Sequence, residues 1–139
     1  MQERNQAINK VINYKHLSTI IGCEINKQVF RQAESNISLA GLDSYIELIN
    51  DDFAKLQFNS SEGLILCNPP YGKKLGNENE LYYLYEKMGS FLKNNFSGWD
   101  FWLLSGNPTL TKYLKMKSSL KIPVSNGGID CRWIKYSIR

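Results

Sequence analysis

The chain has 139 residues, 42% of them hydrophobic and 22% charged, a balance that suits one compact domain and excludes a disordered chain. Its formal net charge of +4 is mildly basic. No apolar run approaches the ~20 residues that cross a bilayer, and "MQERNQAINK" has no apolar signal core, so a cytoplasmic protein with no membrane partner is expected.

Cys23, Cys67 and Cys131 are far apart, odd in number and without C-x-x-C spacing. Buried thiols are expected rather than a disulfide framework or a zinc site, and no metal is expected. Lys112, Lys115, Lys117 and Lys121 gather in "KYLKMKSSLK", a cluster that suits either a phosphate backbone or a solvated face.

In chain order, Ala7, Ile8, Val11 and Ile12 predict an amphipathic helix over residues 2–15. "HLSTIIGCE" reads as a short strand leading to Gly22 and Glu24. "NKQVFRQAESNISLAG" is a helix with Asn26 as N-cap and Gly41 as its stop. "YIELIND" alternates as a strand into Asp51 and Asp52, and "GLILC" is an apolar run typical of a strand covered on both faces. "NELYYLYEKMGSFLKNN" places Leu81, Leu84, Met88 and Phe91 on one helix face despite the helix-weakening Gly89. "WDFWLLSG" is a further buried strand, Asn107 caps a short helix opened by Pro108, and the tail reads as two strands around Asn-Gly-Gly.

Strands alternating with helices and closing in a hairpin predict an α/β domain with a mainly parallel sheet, helices on both faces and a C-terminal antiparallel hairpin. Right-handed crossovers put the strand C-termini on one edge, where Glu24, Asp52 and Asn68 would converge. The stretch "LILCNPPYGKKLG" is the most informative. Pro69 and Pro70 lack a backbone N–H and stiffen the chain, so the strand stops at Cys67 and the polar Asn68 and aromatic Tyr71 are held on a rigid loop. Open α/β sheets bind ligands at such strand ends.

Glu24 after one strand, Asp52-Phe53 after the next and Asn68-Pro69-Pro70-Tyr71 after a third resemble class I S-adenosylmethionine-dependent methyltransferases that act on exocyclic amino groups of bases. "GCEINKQVFRQAESNISLAGL", the NPPY stretch, "SGWDFWLLSGNPTL" and "NGGIDCRWIKY" are similar to the bacterial large-subunit ribosomal RNA guanine-N2 methyltransferases, whose catalytic domain usually follows a THUMP RNA-binding domain. The resemblance runs from about Thr19 onward. It implies a Rossmann-like fold, S-adenosylmethionine as cofactor and ribosomal RNA as partner.

By the same resemblance, Glu24 would meet the ribose hydroxyls, Asp52 the adenine amine and Phe53 the adenine ring. Asn68 and the Pro69 carbonyl would accept the hydrogens of the target amine on a frame stiffened by Pro70, with Tyr71 stacked on the base. Asn26 stands where the family often has a second acid, and it can simply cap the helix. Lys73 and Lys74 could meet RNA phosphate, with solvent exposure as the alternative.

Nothing in residues 1–18 looks like the family's first strand and Gly-rich loop. A single, incomplete catalytic domain over residues 1–139 is therefore expected, inactive or nearly so alone, partnered by the missing N-terminal part or by self-association through open sheet edges. The alternatives are a catalytically silent RNA-binding or assembly module with the same fold, and an adenine-N6 methyltransferase.

Overall fold

A computed structural model describes residues 20–71 and 77–139. The helix expected over 2–15, and Lys73 and Lys74, lie outside these residues. The chain divides into two compact units, one ending at Leu56 and one beginning at Gln57, and each is described by itself.

In the first unit, β1 (Ile20–Cys23) and β2 (Ile46–Ile49) pair in parallel, with Ile20 opposite Ile46 and Cys23 opposite Ile49. A parallel pair needs a crossover, and α1 (Lys27–Ala40) supplies it. The Asn26 side-chain oxygen accepts from the Gln28 and Val29 N–H groups at 2.9 and 3.2 Å, satisfying donors that the first helical turn leaves unpaired. At the other end, the Gly41 and Leu42 N–H groups return to the Ser38 and Ile37 carbonyls. Both caps are as the sequence predicts. No residue of α1 is buried among the described residues, and Leu39 is 80% exposed.

The second unit holds a four-stranded sheet of β3 (Leu64–Cys67), β4 (Asp100–Ser105), β5 (Leu120–Asn126) and β6 (Ile129–Ser137), in the order β3-β4-β6-β5. β3 and β4 are parallel, joined through α2 (Glu78–Asn95), while β6 runs antiparallel to both β4 and β5. The α/β class and the closing hairpin are as expected. The insertion of β6 between β4 and β5 is not fixed by the hairpin signal alone. Asn107 caps α3 (Pro108–Lys112), accepting from the Thr109 and Leu110 N–H groups.

The core of this unit is built on Tyr85, Phe101, Leu103, Leu110 and Leu114, each under 2% exposed. Phe101 and Tyr136 stack across the β4/β6 ladder with ring centroids 5.8 Å apart. Gly89, a weak helix residue by propensity, sits where a Cβ would lie 2.2 Å from the Leu114 carbonyl oxygen. Close backbone approach is what its missing side chain permits.

Three expectations change. β3 is not covered on both faces: Leu64 and Leu66, which alternate onto one face, are 58% and 66% exposed, while Ile65 and Cys67 on the other face are half-buried. The buried seam of α2 is Leu81, Tyr85, Met88 and Leu92, with Leu84 and Phe91 only half-buried. Tyrosine carries a polar tip on an apolar body, so a pattern of purely apolar residues passes over Tyr85. Of the three thiols only Cys131 is buried, while Cys23 and Cys67 are half-buried.

Candidate functional site

In the first unit, the C-terminal ends of β1 and β2 bring acids together. The Glu24 N–H donates to the Ile49 carbonyl at 3.0 Å, which prolongs the parallel ladder by one residue and holds Glu24 at the strand end. Its carboxylate Oε1 accepts from the Asn26 N–H at 2.7 Å, so this side chain is oriented by the same turn that starts α1. The Asn50 side-chain amide donates to the Glu24 carbonyl at 2.7 Å and ties the two strand ends together.

Asp52 lies three residues past β2, and its Oδ1 accepts from the Ala54 N–H at 2.9 Å, capping a single 3₁₀ turn over Phe53–Lys55. Cys23 lies at the same strand end. Burial pushes its thiol up, its hydrogen bond to the Asp51 carbonyl at 3.1 Å opposes that rise, and the Asp51, Asp52 and Glu24 charges add to it more weakly. Glu24, Asp52 and Phe53 are thus gathered at one end of the β1/β2 pair, and Asn26 acts as the helix cap.

In the second unit, β3 gives way to Asn68-Pro69-Pro70-Tyr71 immediately after Cys67. Pro69 is buried, Pro70 and Tyr71 are half-buried, and Asn68 is exposed. The Tyr85 hydroxyl donates to the Pro70 carbonyl at 3.4 Å, fastening the loop to α2. The Pro69 carbonyl and the Asn68 side chain have no such partner among the described residues.

Tyr71 is held from the far end of the chain. The Asn126 side-chain amide donates to its hydroxyl at 2.9 Å, and the Cys131 thiol lies 3.6 Å from the same oxygen. A Cβ on Gly106 would come within 3.2 Å of both Tyr71 Cε2 and Cys131 Sγ, so the residue that follows β4 packs closely against the ring.

The titratable groups around the loop favour their neutral forms. Burial pushes the Cys67 thiol up to about 11 and the Tyr85 phenol well above its ordinary range. The neighbouring Cys131 thiol raises the Tyr71 phenol, against the opposing effect of the Asn126 amide. The loop therefore presents neutral hydrogen-bond acceptors and an aromatic face, not an ionised nucleophile. Such a surface can accept N–H hydrogens and stack a planar group.

Sequence reasoning placed Asn68, Pro69, Pro70 and Tyr71 on one loop, and Glu24, Asp52 and Phe53 at strand ends. It assigned no role to Tyr85, Gly106, Asn126 or Cys131. The hairpin signal at Asn126-Gly127-Gly128 was visible, but its contact with Tyr71 spans 55 positions.

A family model described as "RMKL-like, methyltransferase domain" matches residues 1–135. The Synechocystis sp. protein slr0064 is 37% identical over 117 residues, covering 84% of this chain and 30% of its own length. A ribosomal RNA large subunit methyltransferase K/L from Syntrophotalea carbinolica is 34% identical over 128 residues, covering 89% of this chain and 18% of its own length. The chain thus spans under a third of these curated relatives. The crystal structure of SMU.472 complexed with SAH superposes with a TM-score of 0.85 at 20% identity, covering 97% of this chain and 36% of that one, which shows a shared fold. With all but its last four residues inside the family model, the chain belongs to the RMKL-like methyltransferase domain family.

Proposed function

We propose that the chain takes part in transferring a methyl group from S-adenosylmethionine to the exocyclic N2 amine of a guanine in ribosomal RNA. The observation that carries this reading is the Asn68-Pro69-Pro70-Tyr71 loop, fixed at the end of β3 with its Asn68 side chain and Pro69 carbonyl left as acceptors, in a member of this methyltransferase family. Family kinship with a ribosomal RNA methyltransferase K/L supports the substrate class, and the fold shared with an SAH complex supports the cofactor.

The acids of the first unit fit an adenosine. Glu24 has one carboxylate oxygen tied to Asn26 and the other available to ribose hydroxyls, and Asp52 stands at the same strand edge as an acceptor for an amine, with Phe53 adjoining. Bound S-adenosylmethionine would supply an electrophilic methyl group.

This chain's own residues prepare the nucleophile. A guanine amine has its lone pair delocalised into the ring. Accepting both N–H hydrogens on Asn68 Oδ1 and the Pro69 carbonyl draws the nitrogen towards a tetrahedral shape and frees the pair. Two prolines and the Tyr85 contact fix those acceptors in advance, so little reorganisation remains at the moment of reaction. Tyr71 stacks on a base splayed out of its helix or loop. As the new N–C bond formed, the methyl's bond to sulfur would break with its electron pair left on the thioether of S-adenosylhomocysteine, and the amine's surplus proton would pass to solvent.

Calorimetry with S-adenosylhomocysteine tests the cofactor half. Glu24→Ala and Asp52→Ala should each weaken binding about tenfold or more, as loss of a hydrogen bond to a charged group does, while Asn68→Ala leaves it unchanged. Single-turnover methyl transfer to ribosomal RNA should fall to background in Asn68→Ala. Transfer by that variant at the parental rate would overturn the assignment.

An adenine amine is the second reading. A structure described as a predicted N6-adenine-specific DNA methylase from Listeria monocytogenes shares the fold at 25% identity and a TM-score of 0.79. Product analysis of the methylated nucleoside separates the two.

A further inference from the structure

The β5/β6 hairpin closes on Gly127 and Gly128, whose φ angles of 58° and 80° are the two positive values that a two-residue type I′ turn needs. The strands therefore stay paired to the tip, where Asn126 is opposite Ile129. Side chains alternate along a strand and cross-strand partners share a face, so Asn126, Ile129 and Cys131 stand on one face of the hairpin. Two of the three meet the Tyr71 hydroxyl. Tyr71 thus lies on the face that also carries Ile129.

Ile129 is 54% exposed. A single exposed isoleucine needs no explanation by itself, but the neighbours of this one give it a meaning. A Cβ on Gly106 would lie 3.2 Å from Tyr71 Cε2 and 3.3 Å from Ile129 Cγ2, so one point touches the ring edge and the isoleucine methyl at once. The half-buried ring of Tyr71 and the exposed side chain of Ile129 are adjoining parts of one apolar surface.

We propose that Ile129 is a specificity-determining residue: it extends the stacking surface of Tyr71, so that the seat holds the fused rings of a purine better than the single ring of a pyrimidine. The proposal rests on the methyltransferase reading, which seats the target base on Tyr71. A phenol covers one six-membered ring. The second ring of a purine overhangs it, and an aliphatic side chain at the phenol's edge gives that overhang an apolar contact in place of water. Such a contact reads width, not hydrogen bonding. It favours guanine and adenine alike over uracil and cytosine, and the choice between the two purines falls to groups that meet their edges.

The test is fluorescence anisotropy of the chain with two labelled single-stranded oligoribonucleotides of ~12 nucleotides, within the site sizes of single-strand grooves. One is all uridine, and the other carries a single central guanosine. The parent should bind the guanosine oligomer more tightly. Ile129→Ala should lose roughly fivefold for that oligomer, the scale of one partly buried aliphatic side chain, and nothing for the all-uridine one. Ile129→Leu restores the apolar bulk and should recover most of the loss. Ile122→Ala makes the same truncation on the same face of the hairpin, at a residue 41% exposed and further from the tip, and should bind like the parent.

An undiminished guanosine preference in Ile129→Ala, or equal losses in Ile129→Ala and Ile122→Ala, would overturn the proposal. So would a parent chain that shows no preference or binds neither oligomer. Tyr71→Ala, run on the same oligomers, reads the underlying assignment separately. If it abolishes the preference while Ile129→Ala keeps it, the base seat stands and the role of Ile129 alone falls. If Tyr71→Ala keeps the preference, the place of the target base falls, and the proposal with it.

Discussion

The two units of the chain are held together by different physics. Every apolar side chain that is buried among the described residues falls between Pro69 and Ile138, in the unit that begins at Gln57. The unit that ends at Leu56 has two well-formed caps, a four-residue parallel ladder and an acid-lined strand edge, yet no fully buried apolar residue is described in it. Local hydrogen bonding specifies its shape, whereas packing specifies the other. Helix caps and turns are each worth about 1 kcal/mol, but a buried aromatic is worth several times that. The NPPY loop is fastened to the packed unit and the paired acids belong to the lightly packed one.

The hardest blow to this contrast comes from the core. Phe101→Ala should cost ~3–5 kcal/mol in a urea titration, against less than ~1 kcal/mol for Val29→Ala on the exposed face of α1. Similar losses in the two variants would erase the difference between the units.

A smaller effect sharpens it. Asn26→Ala removes the acceptor for two N–H groups of α1 and should cost about 1 kcal/mol locally. Hydrogen exchange should quicken in α1 while the β4 amides keep their protection. If β4 quickens equally, the units open as one.

The smallest effect lies in surface charge, and it should be alike in both units. The Lys135 ammonium, 2.8 Å from Asp100, holds that carboxyl below the usual carboxylate range, as Lys55 does for Asp51 at 2.7 Å. A depressed folded pKa adds stability that is present above the unfolded value and is lost as pH falls through the folded one. The gap between the parent and Asp100→Asn should therefore close as acid is added below pH ~4, and Asp51→Asn should do the same. Exposed pairs contribute little, so either gap should be smaller than that of Asn26→Ala. A larger one would mean that charge, not packing, separates the units.

Much of this was legible beforehand because it is written in short range. Asn26 and Gly41 bracket α1 by their own chemistry, Asn107-Pro108 opens α3, and the two prolines after Cys67 end β3 wherever the strand lies. What was not legible depends on neighbours distant in sequence. "LILC" has the same composition whether one face of its strand is covered or both, so the exposure of Leu64 and Leu66 could not be read from it. Tyr85 took a place in the seam of α2 that a purely apolar stripe assigned to Leu84, because its hydroxyl has the Pro70 carbonyl to meet. The loop residues could be found by motif, but not the groups that hold them. Asn126, Cys131 and Gly106 reach Tyr71 only after β6 has been placed beside β4.

That last contact sets an order of assembly. At ~5–20 residues per second of synthesis, Asn126 follows Tyr71, 55 positions earlier, by roughly 3–10 s. During that interval a nascent chain already carries the whole Asn-Pro-Pro-Tyr stretch with nothing to fix its tyrosine. The strand that supplies Cys131 also fills the place between β4 and β5, so completing the sheet and locking the ring are one late event. A polypeptide interrupted before the hairpin would display the motif without its geometry, and Tyr71 would gain its partners only once Asn126 and Cys131 had emerged.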